Sequence, residues 1–457
     1  MKKFYTVLLA FWIAACTAIP SPDSPLQNSA ETLESTQIPP SPSMTPWITL
    51  TPSFTPSPYV TLPPQLQPTL IIPTLQAGSS AKLLSIQMID AQTGWAIQEE
   101  SWEFLRPGSR TEYPWPLEGY ILRTVDGGKT WQNASPPTGA YSPGGFFALD
   151  ANTAWASDNL TGRLDMPTAR VWRTTDGGRT WQPGQPFLIA ETGSEFYWPA
   201  RMQFIDQNTG WLLASIEVGM NGYTLREVLF RTTDGGDTWE KANDFLKDLG
   251  TCGNGGLAFI DSTTGWYGQS CVGDGKTSRF FNIHFAGGKY NIRHTTDGGD
   301  SFSFEAMISI PPEIQKLEAT SPEMNCGERR VVAFTPEVLG IAWECQLFWQ
   351  PDQYYRYFSF STDAGRTWNT WEPTGNEYFL NATHGWRLLS PGQLQQTTDG
   401  GLNWLTIKTV AWQDAQFDFI SEQEGWALVT NADATAFVHT TDGGKTWEEI
   451  KPVIASQ

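Results

Sequence analysis

One eight-residue signature recurs seven times between residues 124 and 447. The copies read TVDGGKTW, TTDGGRTW, TTDGGDTW, TTDGGDSF, STDAGRTW, TTDGGLNW and TTDGGKTW, and their aspartates are Asp126, Asp176, Asp234, Asp297, Asp363, Asp399 and Asp442. The mean spacing of these aspartates is about 53 residues, which accommodates one four-stranded β unit and its loops. A period of this length predicts an array of repeated units, because each unit buries its apolar faces against its neighbours.

A second signature, a small residue followed by tryptophan, precedes each copy of the first. The seven pairs are Gly94-Trp95, Ala154-Trp155, Gly210-Trp211, Gly265-Trp266, Ala342-Trp343, Gly385-Trp386 and Gly425-Trp426. In the first unit, the pattern predicts strand A at 85–90, strand B at 94–98, strand C at 120–124 and strand D from residue 130. We therefore predict an all-β fold, a single seven-bladed β-propeller over residues 79–457.

The residue types of the eight-residue signature are those that a tight turn requires. We expect the Asp to accept hydrogen bonds from backbone NH groups, the two Gly to supply left-handed conformations, and the Trp to pack into the blade. Ala364 stands where the other copies have their first Gly. Because 13 of the 22 tryptophans belong to the two signatures, the unusual composition reflects mostly architecture.

These residues resemble the BNR or Asp-box repeat, and the paired signatures are similar to those of the photosystem II stability/assembly factor family of seven-bladed propellers. The resemblance covers about residues 80–450. It implies a non-enzymatic, chaperone-like protein binder on the non-cytoplasmic side of a membrane, acting partly through basic residues. Three residues before the Asp, this chain has Arg123, Arg173, Arg231, His294, Phe360, Gln396 and His439.

The N-terminus has the pattern of an export signal. Two lysines precede the apolar run 4–15, which is too short to span a bilayer as a helix. The stretch ending at Cys16 resembles a bacterial lipobox, which implies a signal peptide at 1–15 and a lipid on Cys16; an ordinary secretory signal is the alternative. Residues 16–78 are rich in Pro, Ser and Thr, which predicts a disordered linker. We expect a lipid-anchored protein of the cell envelope, outside the cytoplasmic membrane.

The four cysteines after Cys16 fall into two equally spaced pairs. Cys252 and Cys271 are 19 residues apart, as are Cys326 and Cys345, and each pair brackets a strand A to strand B hairpin. An exported chain favours disulfides, so we predict two bridges, each within one blade. A metal site is the weaker alternative, because no His completes a metal-binding spacing, and we expect no metal or cofactor.

Charge and motifs bear on the function classes. The chain has 29 basic and 48 acidic residues, a formal net charge of −19, which argues against nucleic acid as a partner. Asp-boxes also occur in sialidases and some glucanases, but the chain has no Arg-Ile-Pro stretch. Its candidate carboxylates, such as Glu99, Glu103, Glu191 and Glu195, lie in predicted loops without a defining spacing. We therefore predict no enzymatic activity; a carbohydrate-binding, sialidase-like or glycoside-hydrolase propeller is the alternative.

Propeller topology separates two faces. The A–B and C–D turns lie on one face, here called the turn face, and the B–C and D–A connections lie on the other, the loop face. The insertions fall on the loop face, at 99–119, 183–200, 272–290, 305–329 and 346–356. The candidate partner-binding residues in or beside them are Trp102, Phe104, Arg106, Arg110, Tyr113, Trp115, Tyr197, Trp198, Trp349, Tyr354, Tyr355 and Arg356. We expect a monomer that binds an envelope or membrane protein, a photosystem II subunit if the host has one; a glycan remains possible as ligand.

Overall fold

The computed structural model describes residues 75–99, 119–137, 145–157, 168–189, 196–218, 224–245, 252–271, 289–309, 324–347, 350–370, 377–389, 392–431 and 434–456, together with Lys316. These residues form a seven-bladed β-propeller, as predicted, within the unit Gln67–Gln457. Across the described ranges, no helix has the length and apolar character needed to cross a membrane.

The first three blades are built from consecutive antiparallel strands. Blade 1 consists of β1 (Leu83–Met88), β2 (Gly94–Glu99), β3 (Gly119–Thr124) and β4 (Thr130–Asn133). Blade 2 consists of β5 (Phe146–Ala148), β6 (Ala154–Ser157), β8 (Val171–Thr174) and β9 (Gln182–Pro183), with a separate ladder of β7 (Thr168–Ala169) and β10 (Phe187–Leu188). Blade 3 consists of β11 (Phe196–Phe204), β12 (Gly210–Val218), β13 (Thr224–Thr232) and β14 (Glu240–Asp244).

The remaining four blades follow the same order. Blade 4 consists of β15 (Cys252–Phe259), β16 (Gly265–Cys271), β17 (Lys289–Thr295) and β18 (Ser303–Ser309). Blade 5 consists of β19 (Met324–Ala333), β20 (Leu339–Leu347), β21 (Gln350–Ser361) and β22 (Asn369–Thr370). Blade 6 consists of β23 (Glu377–Phe379), β24 (Gly385–Leu389), β25 (Gln393–Thr397) and β26 (Leu405–Thr409). Blade 7 consists of β27 (Asp414–Phe419), β28 (Gly425–Asn431), β29 (Ala434–Thr440) and β30 (Glu448–Ile450), and β31 (Val453–Ile454) ends the fold.

The eight-residue turns share one hydrogen-bond pattern. In blade 1, Asp126 Oδ1 accepts from Thr130 N and Thr124 Oγ1, and Thr124 Oγ1 accepts from Gly128 N. The pattern recurs in the other described turns, with Ser or Asn replacing a Thr in some. These bonds lower the pKa of the aspartates, to about 2 at Asp176. Gly127 and Gly128 have φ of 74° and 90°, a region costly for residues with a Cβ.

In several blades, the tryptophan of the second signature ties its blade to the next one. The indole Nε1 of Trp211 in blade 3 donates to the carbonyl of Gly298 in the blade 4 turn, at 2.8 Å. Equivalent bonds run from Trp155 to Gly235, from Trp386 to Gly443 and from Trp426 to Gly127. Because the last of these joins blade 7 to blade 1, the same contact that links neighbours also closes the ring.

Blade 5 departs from the predicted second signature. Ala342-Trp343 was expected to match the Gly-Trp pair of the other blades, and this expectation is wrong. Leu339 and Gly340 occupy those positions, because Gly340 faces Phe360 across the ladder just as Trp95 faces Arg123 in blade 1. A Cβ on Gly340 would lie 2.4 Å from Phe358 Cζ, so the phenyl ring leaves no room for a side chain there.

Both chain ends take part in closing the ring. Strand β31 pairs in parallel with β4, the outer strand of blade 1. The segment just before β1 runs beside β31: Gly78 N donates to Ile454 O at 2.8 Å, and Ala81 N donates to Pro452 O at 2.9 Å. Ile454 is buried in a cluster that contains residues of blades 1 and 7. The two terminal segments therefore fill the seam between the first and last blades.

Candidate functional site

The inner strands of the seven blades surround a cavity of about 1410 Å³. Its lining is mixed: blades 1, 2 and 4 contribute uncharged, mainly apolar residues, whereas blades 3, 5, 6 and 7 contribute charged residues beside apolar ones. The charged residues are Arg201, Arg330, Arg356, Glu377, Asp414 and Asp418. A cavity of this size and polarity suits a segment of a protein or glycan chain better than a small apolar ligand.

Side chains of the inner strands bridge neighbouring blades around this cavity. Gln87 Nε2 of blade 1 donates to Ala148 O of blade 2 at 2.9 Å. Gln203 of blade 3 both donates to Phe259 O and accepts from Phe259 N of blade 4. These glutamines occupy the same register position, opposite the signature tryptophan of their own blade. The inner wall of the cavity is thus fastened by side chain to backbone hydrogen bonds.

The same position holds ionisable residues in blades 6 and 7. Tyr378 OH donates to Phe419 O at 2.9 Å, and Asp418 Oδ2 accepts from Met88 N of blade 1. Burial raises the pKa of Asp418 to about 6, although the Met88 NH and the positive charge of Arg330 act in the opposite direction. Burial, followed by the charge of Asp418, raises the pKa of Tyr378 to about 12.

The sequence reading did not single out Asp418. Its one signal was a carboxylate between Phe417 and Phe419 in a predicted inner strand, where the other blades have uncharged residues. Two flanking phenylalanines predict that the Asp418 carboxylate is buried. Its hydrogen-bond donor, Met88 N, is known only from the closed ring, which brings blade 1 beside blade 7.

An ion pair crosses the short blade 6. Arg356 Nη1 in β21 of blade 5 lies 3.0 Å from Asp414 Oδ1 at the start of β27 in blade 7. The strands of blade 6 are only three to five residues long, so the side chains of Arg356 and Asp414 can meet across this blade on the loop face. Arg356 therefore lines the cavity, while its neighbour Tyr355 packs partly buried against the core cluster that contains Cys345.

The other predicted partner-binding residues are placed less fully. Tyr197 and Trp198 lie on β11, opposite Ile216 and Ser215, and Tyr354 lies on β21, opposite Gln346. The predicted residues Trp102, Phe104, Arg106, Arg110, Tyr113, Trp115 and Trp349 lie outside the described residues.

Strand length varies only toward the loop face. In each blade, the second strand begins at the turn face, where its first residue faces the last residue of the third strand, as Gly94 faces Thr124. Among the described residues, this second strand has nine residues in blades 3 and 5, seven in blades 4 and 7, six in blade 1, five in blade 6 and four in blade 2. Within the described residues, blades 3 and 5 therefore extend furthest on the loop face, and these two blades, with blade 4 between them, are called here the loop-face wall.

Both predicted cysteine pairs lie on this wall. Cys252 faces Cys271 across blade 4, and Cys326 faces Cys345 across blade 5. Cys271 and Cys345 each lie six residues after the first residue of their strand, so the two pairs stand at the same height in neighbouring blades.

Four of the residues three positions before the signature Asp stack on tryptophans: Arg123, Arg173, His294 and His439. Arg123 lies over Trp95 with its Cζ 5.7 Å from the ring centroid, and His439 stacks on Trp426 at 4.5 Å. Arg123 also donates to Ala151 O of the next blade. Arg231 is ion-paired with two carboxylates. These basic residues brace adjoining blades at the turn face.

A third repeated turn was missed in the sequence. Between the first two strands of blade 1, Asp90 Oδ1 accepts from Gln92 N at 2.8 Å and Thr93 N at 2.7 Å. Asn381 makes the same turn in blade 6, where its side-chain oxygen accepts from Thr383 N. Asn381 also begins an Asn-Ala-Thr triplet of the kind that accepts N-linked sugar, and the turn gives this asparagine a structural role.

Comparisons with known proteins returned structures only. No family model and no curated protein matches the chain. A structure of YCF48 bound to D1 peptide is 17% identical over 78% of this chain and 93% of that chain, with a TM-score of 0.43. A GH74 xyloglucanase from Xanthomonas campestris is 11% identical over 83% of this chain and 54% of that chain, with a TM-score of 0.49. A PL25 ulvan lyase is 10% identical over 83% of this chain and 96% of that chain, with a TM-score of 0.45.

Within the described part of the chain, no three His, Cys, Asp or Glu side chains converge on a point that could hold a metal ion. The arrangement combines a fastened inner ring, a mixed-charge cavity and a raised wall on one face. Such an arrangement is suited to holding a partner against a rigid surface.

Proposed function

We propose that this protein is a non-enzymatic, exported and lipid-tethered propeller that binds another envelope or membrane protein on its loop face, in a chaperone-like or scaffold role resembling that of photosystem II assembly factors. The observation that carries the proposal is the loop-face wall, in which blades 3 to 5 extend beyond blades 2 and 6. A raised wall beside a low blade forms a rigid step, and loops on a rigid scaffold commonly carry binding residues.

The charges beside the step favour a polar macromolecular partner. Arg356 and Asp414 present a paired cation and anion above blade 6, and both line the cavity. Positive and negative groups of a partner would each find an opposite charge there. Such complementarity fixes which partner binds and in what orientation more than it raises the binding affinity.

Disulfides are part of the proposal. Facing residues of an antiparallel pair have Cα atoms about 4.5 to 5.5 Å apart, which lies within the range that a disulfide spans. The facing positions of Cys252 and Cys271, and of Cys326 and Cys345, therefore support bridges that hold the top of the wall.

Site-specific photo-crosslinking in the native envelope tests the binding face. A photoreactive residue at Tyr354 or Tyr197 should give the same protein adduct, while one at Lys129 or Lys445 on the turn face should not. Replacing Trp102 and Trp115 with Ala should reduce that adduct with little change in melting temperature, whereas Tyr355→Ala should also lower the melting temperature, because Tyr355 packs against a core cluster. An adduct that forms only from the turn-face positions would show that the binding face is wrongly assigned.

A second candidate function is glycan hydrolysis in the cavity, and the near-neutral pKa of Asp418 is the observation that favours it. Two features weigh against it. Asp414 and Asp418 are four residues apart on one strand, about 13 Å along it, whereas paired glycosidase carboxylates stand about 5 to 9.5 Å apart. Asp418 Oδ2 is also engaged by Met88 N.

The test of this second candidate is direct. Purified protein should release no sugar from a panel of sialosides and β-glucans, and Asp418→Asn should behave identically. Release by the wild type that Asp418→Asn abolishes would establish hydrolysis in the cavity and reject the non-enzymatic proposal.

A further inference from the structure

Three side-chain positions link a blade to the next blade in the ring, and we call them the inter-blade links. At the first, on the inner strand, Gln87, Gln203 and Tyr378 donate to a carbonyl of the next blade. The second is the signature tryptophan, whose indole NH donates in the same direction. The third is the residue three before the signature Asp, where Arg123 and Arg231 reach carbonyls of the next blade.

Five of the seven junctions have at least one inter-blade link. The junctions of blade 1 with blade 2 and of blade 3 with blade 4 have all three. The junctions of blade 2 with blade 3, blade 6 with blade 7 and blade 7 with blade 1 have the tryptophan bond. At the last of these, Asp418 also accepts from Met88 N. The seam at the chain ends is therefore fastened by side chains as well as by β31.

The junction of blade 4 with blade 5 has none of these bonds within the described residues. Ala258 holds the first position, opposite Trp266, and its methyl group cannot donate. The indole Nε1 of Trp266 and the Nε2 of His294 are both buried without a hydrogen-bond partner in the part of the chain that the structure describes. His294 stacks on Trp266 at 4.9 Å, so these side chains keep the usual arrangement without the usual bonds.

The junction of blade 5 with blade 6 lacks the chemistry for these links. Val332 holds the first position, Gly340 the tryptophan position and Phe360 the third, because they face one another across the ladder. None of these side chains carries a hydrogen-bond donor. At the three positions compared, blade 5 is therefore the blade that lacks an inter-blade link on both sides.

Apolar packing holds blade 5 instead. Toward blade 4, Leu339 and Ile341 are buried in one cluster with Trp266. Toward blade 6, the ring of Phe358 stacks on that of Phe379 at 4.8 Å. A hydrogen bond fixes both a distance and an angle, whereas apolar contact has no preferred direction. Packed apolar surfaces can therefore slide past each other by small steps, as in shear motions.

An ion pair restrains blade 5 on the loop face. Arg356 Nη1 lies 3.0 Å from Asp414 Oδ1, so this pair ties blade 5 to blade 7 past the short blade 6. The two side chains are 21% and 37% exposed, which leaves the pair accessible to salt and to charged groups of a partner. Arg330 and Arg356 of blade 5 also line the cavity, so a displacement of this blade would change the width of the cavity.

We propose that blade 5 is the movable blade of the propeller, and that the ion pair of Arg356 and Asp414 is the latch that holds it in the closed ring. Opening of the latch would let blade 5 slide between blades 4 and 6 and widen the cavity on the loop face. The motion itself does not depend on the proposed function. Release by a partner does rest on that function: a carboxylate bound by Arg356, or a cation bound by Asp414, would replace one half of the pair.

Distances between nitroxide labels, measured by pulsed electron paramagnetic resonance on the full chain, test the motion. A nitroxide-bearing amino acid is placed at Arg366 and Arg179, exposed turn residues of blades 5 and 2. The matched control pair is Asp237 and Lys445, exposed at the same turn position in blades 3 and 7. Both pairs span three junctions, so their mean distances should be similar. The distance distribution of the first pair should be about twice as wide as that of the control pair, because only the first pair includes blade 5.

Removing a charge tests the latch. Asp414→Asn keeps an acceptor for Ala415 N but cannot form an ion pair with Arg356. It should make the distribution of the first label pair about half as wide again and leave the control pair unchanged. Sodium chloride at about 1 M should widen the wild-type distribution in the same way, because it screens the pair, and should have no further effect on the variant.

Exchanging an inter-blade link tests the cause of the motion. Val332→Gln places in blade 5 the residue that bridges to the next blade from blades 1 and 3, and it should narrow the distribution of the first label pair. Gln203→Val, the reverse change in blade 3, should widen that of the control pair. A wide first distribution that Val332→Gln leaves unchanged would show that the missing links are not its cause.

The outcomes separate this proposal from the proposed function. Equal widths for the two label pairs in the wild type would overturn the movable blade, and a distribution that neither Asp414→Asn nor salt changes would overturn the latch. If the first distribution is wider but crosslinks at Tyr354 and Tyr197 fail, the motion stands and the protein-binding face is wrong. If the crosslinks form and the widths are equal, the proposed function stands without the motion.

Discussion

Asp418 in the inner strand of blade 7 accepts a hydrogen bond from the backbone NH of Met88 in the inner strand of blade 1, 330 residues earlier in the chain. Blades 1 and 3 use a neutral glutamine at this register position to bridge to the next blade. The join between the first and last blades therefore depends on a group that titrates.

Asp418→Asn should change how stability depends on pH. Because the pKa of Asp418 is raised from 3.8 to about 6 in the folded protein, the folded state binds the proton more tightly than the unfolded state. Ionisation of Asp418 therefore costs stability as pH rises from about 4 to about 6, on the order of 3 kcal/mol at most. Asn keeps an acceptor for Met88 N without a charge, so the free energy of unfolding at pH 7 should rise.

Urea unfolding of wild type and Asp418→Asn at several pH values between 4 and 7 measures this effect. The variant should lack the component of the pH slope that the wild type shows in that window. Identical slopes in the two proteins would mean that Asp418 is not ionised at a cost in the folded state.

Asp176→Ala should destabilise the fold through one turn. The Asp176 carboxylate accepts from Thr180 N at 2.9 Å and from Thr174 Oγ1 at 2.9 Å, and removing it leaves those donors without this acceptor. We expect a loss of about 1 to 3 kcal/mol in the free energy of unfolding, with partner binding by the folded fraction unchanged. Thr175→Ala, at an exposed neighbouring position, is the control and should have little effect.

The turn aspartates should also govern acid stability. The pKa of Asp297, Asp363 and Asp442 is lowered from 3.8 to about 2, the largest lowering contributions being hydrogen bonds within the turns. A lowered folded-state pKa adds stability above about pH 4 that is lost as pH falls toward 2. Circular dichroism followed from pH 5 to pH 2 should show cooperative unfolding, and an unchanged spectrum at pH 2 would refute this.

Ala364→Gly should stabilise the protein. Among the described residues, Ala364 is the one non-glycine residue with positive φ, at 63°, and a Cβ in that region strains the backbone. Relief of the strain should exceed the added entropy of the unfolded chain, for a net gain of about 1 kcal/mol. Ala436→Gly, within strand β29, is the opposite control and should lose stability; a loss in both variants would show that Ala364 is not strained.

Reduction should destabilise the loop-face wall. Each predicted bridge closes a loop of about 20 residues, worth roughly 3 kcal/mol on the chain-entropy model. Non-reducing peptide mapping should recover Cys252 linked to Cys271 and Cys326 linked to Cys345. Recovery of Cys252 linked to Cys326 would contradict the pairing that the strand register favours.

The repeats allowed most of the fold to be predicted from the sequence, because turn chemistry is local. The predicted second strand at 94–98 and the third at 120–124 match β2 and β3 to within one residue. The signature of blade 5 was predicted wrongly because Trp343 follows a small residue, as the signature tryptophans do. In the structure, Gly340 holds the signature position, and the ring of Phe358, from the next strand, fills the space beside it. Long-range packing of this kind leaves no local pattern.

The candidate site was less predictable for the same reason. Tyr355 and Arg356 were chosen as loop residues, yet both belong to the twelve-residue strand β21. The raised pKa of Asp418 comes from its burial inside the closed ring, where Met88 of blade 1 and Arg330 of blade 5 also act on it. Sequence spacing carries no information about residues that meet across a ring.

The propeller ring is closed by the segments at its two ends, residues 78–81 and strand β31, and this sets the order in which the protein can finish folding. Blade 1 is complete as a local sheet once residue 133 is available, but its outer strand gains its partner only when Val453 and Ile454 arrive. Contacts between such distant segments form late and slowly. The propeller would therefore stay an open arc until Val453 and Ile454 are in place, and a chain that lacks these residues would be left unsealed at the seam between blades 1 and 7.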